Sequence, residues 1–369
     1  MKRHVEIAGA GFAGLAVGIA LCQRGWTARI HESDVELRAF GAGIFVWENG
    51  LRVLKALGAY EDVMKGSHQA PGYEGRNHRN EQISNEVFGL SRGSRMVTMT
   101  RQHLYSAMLG AAKRVGVEFV TSSEVVAARP EGVLVTSDGR HWPADLVIGA
   151  EGVKSNVRMS LALVPSRTKY EFGVIRLLVQ RGPDDTPGTN PDNVINYYSS
   201  DHRVLYVPCN PSVLYLALAA RDSDKISTAI PVNKHVWSEA FPFLEQLFAR
   251  IGSEARYDTY ETNHLDNWSS GKVALVGDSA HSMPPTLGQG AGCALMNALS
   301  LAVYVSETDN VVAGLRIWQE RERSLTDHTQ RIASDYARSR AGSDGASKWD
   351  DAAMKAALHM PTGTQSELA

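Results

Sequence analysis

Three glycines near the start of the sequence, Gly9, Gly11 and Gly14, constrain the fold of this chain more than any other feature. They follow a short apolar run and lead into an apolar stretch of helical length. This order predicts a strand, a tight turn and a helix. The first glycine permits the turn, the second lets a pyrophosphate approach the backbone, and the third lets the helix pack against the strand. The helix N-terminus then offers N–H groups and a positive dipole end to the phosphates of a dinucleotide.

An acidic residue, Glu32, follows the next predicted strand at residues 27–31. In a dinucleotide-binding unit this position contacts the ribose. We expect the Glu32 carboxylate to accept hydrogen bonds from both ribose hydroxyls. Its negative charge also disfavours a 2′-phosphate, so the site is predicted to bind an unphosphorylated ribose.

Composition excludes several other classes of protein. A formal net charge of −2 and a pI of about 6.6 predict no nucleic-acid or membrane-surface partner. The three cysteines, Cys22, Cys209 and Cys293, lack the paired spacing of a disulfide framework or a zinc site. The N-terminus has the pattern of a strand and not of a signal peptide, and no apolar run reaches the length of a membrane span. We therefore expect a cytoplasmic protein that needs no metal.

The order of strand and helix patterns predicts an α/β fold. A Rossmann-like nucleotide-binding domain is interrupted by an inserted, mainly β-sheet substrate domain and completed by C-terminal helices. Such an insertion commonly forms a ligand pocket where it covers the nucleotide. One helix of the insertion is expected near residues 234–250. The expected boundaries are 1–67, 101–165 and 265–340 for the nucleotide-binding domain with its C-terminal helices, 68–100 and 166–264 for the substrate domain, and 341–369 for a loosely held tail.

A second Gly-rich segment follows a predicted strand late in the chain. It begins at Gly277 and Asp278, passes through His281, and continues through Pro285 to a run of further glycines. An ordinary nicotinamide dehydrogenase explains the first turn but leaves this segment without a role. Asp278 is either a cofactor ligand or a helix cap, since both roles use the same helix N-terminus, and the role as cofactor ligand is favoured. His281 is either an acid or base, or a packed structural histidine behind the cofactor, and the second interpretation is favoured.

Three motifs in this order resemble those of the single-component flavin aromatic hydroxylases, the para-hydroxybenzoate hydroxylase type. They are the turn at Gly9, the segment Gly149-Ala150-Glu151-Gly152, and the segment that begins at Gly277. The family usually has Asp where this chain has Glu151. The resemblance covers about residues 1–335 and implies tightly bound FAD. The FAD-binding residues that it implies are Gly9, Gly11, Ala13, Gly14, Glu32, Ser33, Arg38, Gly43, Ile44, Arg101, Gly277, Asp278, Pro285, Gly288, Gly290, Ala291 and Gly292.

The same resemblance implies an NAD(P)H-dependent flavoprotein monooxygenase. Because the chain has one dinucleotide turn and FAD fills it, NAD(P)H is expected to bind transiently as the reductant. Reduced FAD and O2 would form a flavin C4a-hydroperoxide, which transfers one oxygen atom to an activated ring. The expected partners are therefore a small aromatic acid, O2 and NAD(P)H, bound by a monomer or homodimer.

Within this family, several stretches resemble the oxygenases of hydroxylated pyridine carboxylates, the 2-methyl-3-hydroxypyridine-5-carboxylate oxygenase type. The stretches are residues 36–44, 49–54, 175–177 and 205–210. The resemblance implies that Tyr73, Arg176, Arg203 and Tyr215 hold the substrate, with Pro285 in the front wall of the flavin and Phe45 at a further pocket position that is tyrosine in a relative.

The implied reaction is hydroxylation, with or without ring opening, of a small hydroxylated N-heteroaromatic acid such as a 3-hydroxypyridine carboxylate. Two alternatives stay open at this point. The first is a phenolic benzoate-type acid as the substrate. The second, with less support, is an FAD oxidoreductase that does not insert oxygen.

Overall fold

The computed structural model describes residues 2–38, 41–89, 95–339 and 350–364. In chain order the strands are β1 (His4–Ala8), β2 (Thr27–His31), β3 (Gly43–Trp47), β4 (His68–Gln69), β5 (Gly72–Asn77), β6 (Gln82–Val87), β7 (Met96–Thr100), β8 (Glu118–Val120), β9 (Val125–Arg129), β10 (Val133–Thr136), β11 (His141–Pro143), β12 (Leu146–Gly149), β13 (Ser166–Gln180), β14 (Val194–Tyr198), β15 (Arg203–Pro208), β16 (Val213–Arg221), β17 (Arg256–His264), β18 (Ser269–Ser270) and β19 (Val273–Leu275). The helices are α1 (Phe12–Cys22), α2 (Glu48–Ala56), α3 (Tyr60–Met64), α4 (Arg101–Arg114), α5 (Asn156–Ser160), α6 (Lys234–Ala240), α7 (Glu245–Ala249), α8 (Asp278–His281), α9 (Gly290–Ser306), α10 (Val311–Ser339) and α11 (Asp351–Met354). None of these helices, within the ranges given, is long and apolar enough to cross a membrane.

A six-stranded sheet carries the first Gly-rich turn. Its strand order is β18-β19-β12-β1-β2-β8, and β1 pairs in parallel with both β2 and β12. The sheet therefore combines strands from three separate parts of the chain. Helix α1 is apolar on nearly all sides and is buried against α9 and α4. This is an interrupted Rossmann-like arrangement, and the predicted fold class is confirmed.

A second sheet of seven strands has the order β17-β13-β16-β15-β14-β5-β6. One of its faces packs on α6 and α7 through a core that includes Trp237, Phe241 and Phe248. Alternate residues of the same strands belong to another apolar cluster, which also contains Trp47 of β3 and Met96 of β7. Because side chains alternate between the two faces of a strand, this second face is the one that meets the rest of the protein.

The prediction of a single helix near residues 234–250 is wrong. The structure has two short helices, α6 and α7, joined by a 3₁₀ turn at Pro242–Leu244. Pro242 has no N–H to donate to the preceding turn, and its ring clashes with a continuing helix. The last helical bond before the break runs from the N–H of Phe241 to the carbonyl oxygen of Trp237, at 3.0 Å.

The loosely held tail expected at 341–369 is also wrong where the structure describes it, at residues 350–364. Ala353 in the short helix α11 and Ala356 and Ala357 in the turn that follows it are all buried. The N–H of Asn49 donates to the carbonyl oxygen of Ala357, 3.3 Å away. This segment is therefore packed against the body of the protein, while 340–349 and 365–369 lie outside the described residues.

Candidate active site

The turn after β1 is so closely packed that two of its glycines admit no side chain. Gly9 has a φ of +97°, and a Cβ there would lie 2.6 Å from the carbonyl oxygen of Ala150. A Cβ on Gly14 would collide with the carbonyl oxygen of Gly9. The N–H of Gly9 donates to the carbonyl oxygen of His31, 2.8 Å away, and this bond ties the turn to the end of β2. The fold itself therefore needs both glycines.

Gly11 differs from these two, because a Cβ at this position would have no atom within 4 Å. Gly11 is the N-cap of α1, and no side chain caps the helix. The N–H groups of the first turn and the positive end of the helix dipole therefore adjoin open space. Ala13 lies in the same turn, and a Cβ on Gly277 would come within 2.9 Å of its Cβ. This space and these donors fit the pyrophosphate of FAD.

The Glu32 carboxylate is fixed at the end of β2 by three donors. Its Oε2 accepts a hydrogen bond from the N–H of Ala10 at 3.0 Å. Its Oε1 accepts from the N–H of Asp34 at 3.0 Å and from the hydroxyl of Ser33 at 3.1 Å. The acid is thus held beside the Gly-rich turn, as a ribose ligand must be. Ser33 contacts Glu32 and supports its position.

Glu151, which replaces the usual Asp of the second motif, binds the start of a helix. Its Oε1 accepts from the N–H of Val157 at 3.0 Å, and its Oε2 accepts from the hydroxyl of Ser155 at 2.6 Å. Burial raises the pKa of Glu151, even though these hydrogen bonds act in the opposite direction. The carboxylate therefore serves the N-terminus of α5, and the departure from the family pattern has a local structural role.

Hydrogen bonds join the second motif to the third. The hydroxyl of Ser279 accepts from the N–H of Gly152 at 3.0 Å. The guanidinium of Arg158, which is fully buried, donates to the carbonyl oxygens of Ser279 at 2.9 Å and Val153 at 2.6 Å. These bonds fix the start of α8 relative to the end of β12.

A carboxylate and two guanidinium groups lie near each other beside the Gly-rich turns. Asp278 begins α8, and its carboxylate interacts with the guanidinium groups of Arg101 and Arg176. Its side chain is exposed within a cleft, yet the surrounding protein raises its pKa, while the two guanidinium charges act in the opposite direction. The Arg101 guanidinium carbon lies 4.9 Å from the centroid of the Phe12 ring. These charges fit a cofactor that carries both phosphates and hydroxyls.

His281 is buried behind this site. Its Nε2 accepts a hydrogen bond from the amide of Asn297 at 3.0 Å, and its ring centroid lies 5.2 Å from that of Trp268. Burial lowers the pKa of His281 from 6.5 to about 4, so the ring is neutral near pH 7. These contacts favour the structural interpretation of His281 over a role as acid or base.

The turn after α8 packs against β3. It is the 3₁₀ turn Pro285–Leu287, which ends at Gly288 with a φ of +62°. A Cβ on Gly288 would collide with the ring of Phe45, and the indole N–H of Trp47 donates to the carbonyl oxygen of Leu287 at 3.2 Å. The next three predicted residues, Gly290, Ala291 and Gly292, form the first turn of α9. The predicted residues of this segment therefore lie together.

The remaining predicted cofactor residues lie at different depths. Gly43 packs directly against the side chain of Tyr215, and Ile44 is buried in the core of the first sheet. Arg38 is on an exposed loop, where its guanidinium lies 3.8 Å from the carboxylate of Asp34. The roles of Gly43, Ile44 and Arg38 toward FAD stay predictions.

The four predicted substrate residues lie on one face of the seven-stranded sheet. Residues paired across strands share a face, and so do alternate residues along one strand. The register of β5, β14, β15, β16 and β13 therefore puts these four residues on one face. They are Tyr73, Arg176, Arg203 and Tyr215. The small side chains of Ala217 and Ala219 lie among them on that face, which is opposite to the one that α6 and α7 cover.

The two arginines on this face have different surroundings. Arg176 donates from Nη1 to Oδ2 of Asp258 at 3.1 Å, so its charge is partly balanced. The Arg203 guanidinium carbon lies 5.4 Å from the ring centroid of Tyr198 and 5.7 Å from that of Phe172. A guanidinium held over an aromatic face directs its N–H groups sideways, in its own plane. Arg176 is thus held by a carboxylate, and Arg203 is held against two aromatic rings.

Two polar residues of this face were missed by the sequence analysis. The hydroxyls of Tyr198 and Tyr73 are 2.7 Å apart, and the amide of Asn196 donates to the Tyr198 hydroxyl at 2.9 Å. Period-two spacing puts residues 196 and 198 on one face, but only the pairing with β15 shows which face that is. Burial raises the pKa of Tyr215 to about 12, so its hydroxyl stays protonated as a possible donor.

Comparisons with known proteins agree with this geometry. A family model described as FAD binding domain matches residues 2–314. A putative 2-heptyl-3-hydroxy-4(1H)-quinolone synthase of Rhodococcus erythropolis is 37% identical over 374 residues, which cover 98% of this chain and 98% of the relative. A 6-hydroxynicotinate 3-monooxygenase of Bordetella bronchiseptica is 24% identical and covers 90% of this chain and 91% of its own length.

A solved structure with a closely similar fold is the tetrameric form of 2-methyl-3-hydroxypyridine-5-carboxylic acid oxygenase. It is 44% identical, superimposes with a TM-score of 0.93, and covers 99% of this chain and 100% of its own. The Bordetella relative and the structural relative are both named as oxygenases, and the Rhodococcus relative is named for a different ring, a quinolone.

Proposed function

This chain belongs to the FAD-binding-domain family and is an FAD-dependent monooxygenase, and we propose that its substrate is a small hydroxylated N-heteroaromatic acid. A 3-hydroxypyridine carboxylate such as 5-hydroxynicotinate is the model compound. When bound, FAD supplies the redox chemistry that couples NAD(P)H oxidation to the insertion of oxygen from O2. The residues of this chain bind, orient and shield the reactants.

For the cofactor, we propose that the first helix turn at Gly11 and Ala13 receives the pyrophosphate and that Glu32 binds the adenosine ribose. Asp278 and Arg101 would bind the ribityl and phosphate region. The turn from Pro285 to Gly288 and the first turn of α9 would adjoin the flavin ring. The placement of the pyrophosphate is supported by the open space at Gly11, where a Cβ would have no atom within 4 Å.

For the substrate, the observation that carries the proposal is the presence of Arg203, Tyr73 and Tyr215 on one face, around two alanines. A guanidinium binds a carboxylate through two parallel N–H···O bonds. A tyrosine hydroxyl can hydrogen-bond the ring oxygen that activates the ring. The face therefore suits a small anionic ring with a hydroxyl group.

A second candidate substrate is a 4-quinolone with an apolar substituent. It is favoured by the name of the Rhodococcus relative, which matches nearly the whole chain. The polar residues are also accompanied by apolar side chains of the same cluster, among them Phe45, Phe88, Leu205 and Met354. A phenolic benzoate-type acid is the third member of the test panel.

A substrate panel under isotopically labelled O2 distinguishes these candidates. The FAD-loaded protein is mixed with NADH or NADPH and with 5-hydroxynicotinate, 2-heptyl-4-quinolone or 4-hydroxybenzoate, and the products are weighed by mass spectrometry. We expect 5-hydroxynicotinate to accelerate NAD(P)H oxidation and to gain labelled oxygen. Gain of one oxygen atom means hydroxylation, whereas gain of one oxygen atom and one water means ring opening. Labelled product from the quinolone or the benzoate alone would contradict the proposal.

We also propose that the protein acts in the cytoplasm as a monomer or homodimer. The three cysteines are free thiols, in keeping with a reducing compartment. Within the described residues, no group of three or more His, Cys, Asp or Glu side chains is arranged to hold a metal. Light scattering coupled to size-exclusion chromatography measures the oligomeric state, and a tetramer, the form named for one relative, would contradict this part of the proposal.

A further inference from the structure

We propose that Tyr198 is a positioning residue that orients two substrate-binding groups at once, the hydroxyl of Tyr73 and the guanidinium of Arg203. The inference rests on the proposed function of those two residues. Tyr198 ends β14 and is 1% exposed. Its hydroxyl and the face of its ring contact different partners, and each contact can be removed separately.

The ring face of Tyr198 adjoins Arg203. The two residues are directly paired across β14 and β15, so their side chains lie side by side on one face of the sheet. The Arg203 guanidinium carbon is 5.4 Å from the Tyr198 ring centroid, within the range of a cation–π interaction. Any aromatic ring at position 198 would keep this contact, and an aliphatic side chain would lose it.

The hydroxyl of Tyr198 belongs to a buried hydrogen-bonded chain. The Nδ2 of the Asn196 amide donates to it at 2.9 Å. With that bond in place, the proton of Tyr198 needs an acceptor of its own, because a buried unpaired donor is costly. We assign the Tyr73 hydroxyl oxygen, 2.7 Å away, as that acceptor.

This assignment sets the direction of the Tyr73 proton. A hydroxyl has one proton, and if Tyr73 accepts from Tyr198 its own O–H points away from Tyr198. Tyr73 is 2% exposed and lies on the same face of the sheet as Arg203. Tyr198 thereby makes Tyr73 a hydrogen-bond donor toward a ring oxygen.

Two substitutions separate the two contacts. Tyr198→Phe keeps the ring under Arg203 but removes the hydroxyl that orders Tyr73. Tyr198→Leu removes both. The matched control is Tyr197→Phe, because Tyr197 is on the opposite face of the sheet, in the core with Phe241, away from Tyr73 and Arg203.

The readout is discrimination among three ligands, measured as Kd from the flavin absorbance of the FAD-loaded protein. The ligands are 5-hydroxynicotinate, nicotinate, which lacks the ring hydroxyl, and 5-hydroxynicotinamide, which lacks the carboxylate. Ratios of Kd cancel a general loss of packing, which a merely structural role would cause.

Tyr198→Phe is expected to reduce the preference for 5-hydroxynicotinate over nicotinate by roughly 3- to 10-fold, the range for one neutral hydrogen bond. Its preference for the acid over the amide should stay as in the unmodified protein. Tyr198→Leu should reduce both preferences, and Tyr197→Phe should change neither. Unchanged ratios in both Tyr198 variants would overturn the inference.

A second measurement separates this inference from the proposed function. If the unmodified protein binds none of the three ligands, the proposed substrate class is wrong, and the positioning role is judged from crystal structures. In FAD-loaded Tyr198→Leu, the Arg203 guanidinium and the Tyr73 hydroxyl should be displaced or disordered relative to the unmodified protein. Side chains that stay in place would overturn the positioning role whatever the substrate is.

Discussion

The side chain of Tyr215 fills the space that a Cβ on Gly43 would occupy, so the backbone of β3 packs directly against a side chain of β16. This contact brings the first part of the chain against the face of the sheet that holds the proposed substrate residues. Glycine at position 43 is therefore explained by a neighbour 172 residues away in the sequence.

Gly43→Ala should push Tyr215 out of place. The added methyl group would overlap the Cβ and ring of Tyr215, and overpacking of this kind costs about 1–3 kcal/mol. We expect a lower free energy of unfolding and a higher Kd for the substrate. The control is Gly252→Ala, because a Cβ on Gly252 meets no atom within 4 Å. Equal Kd values for the two variants would argue against a role of the Gly43–Tyr215 contact in the pocket.

Gly11→Val should yield a folded protein without FAD. A side chain at position 11 enters open space in front of α1 and blocks the approach of the pyrophosphate, but it meets no protein atom at its Cβ. Flavin absorbance measures FAD content and circular dichroism measures folding. Gly252→Val is the matched control and should stay yellow. Stoichiometric FAD in Gly11→Val would mean that the cofactor is placed wrongly.

Arg203→Ala should weaken substrate binding and leave FAD content unchanged. A hydrogen bond to a charged group contributes about 1.5–3 kcal/mol, which corresponds to roughly a 10- to 150-fold rise in Kd. Arg221→Ala is the control, since the Arg221 guanidinium carbon also lies over Phe172, at 5.2 Å, but its nitrogens pair with Glu171 and Asp201. A similar loss in both variants would assign the effect to the Phe172 region and not to the carboxylate of the substrate.

His281 should make the protein less stable in acid. Its pKa is about 4 in the folded protein against an ordinary value of 6.5, so the unfolded chain takes up a proton first as the pH falls. Above pH 6.5 the ring is neutral in both states and His281 does not lower the free energy of unfolding. Between pH 6.5 and pH 4 the free energy of unfolding falls progressively, by about 3 kcal/mol in total. Urea unfolding at several pH values measures the slope. His281→Gln should unfold with a shallower pH dependence, and an unchanged slope would show that other groups cause it.

The Gly-rich turns could be predicted because their requirements are local. A positive φ at Gly9 and the close contact at Gly14 leave a signature in a few consecutive letters. Pro242 alone predicts a break between α6 and α7, but the helical pattern of the residues around it favours one continuous helix.

The partners of Arg203 could not be predicted in the same way. Both faces of β14 are buried, so the letters of residues 194–198 show no clear alternation from which to choose a face. The choice is made by the pairing of Tyr198 with Arg203, which belongs to the sheet as a whole. The packed segment at 350–364 was missed because alanines bury little area and give a weak signal.

The strand order of the first sheet also bears on how the protein folds. β1 pairs with β12 and β12 with β19, although strands β13 to β17 of the seven-stranded sheet separate β12 from β19 in the chain. Closing such long loops makes folding slow, since the entropy is lost before the contacts are gained. A growing chain that has completed Gly9 to Glu32 still lacks Asp278, so the proposed cofactor site stays incomplete until β19 and α8 are made. After that step, a single backbone cut in the inserted sheet would leave two fragments that the shared strands still hold together.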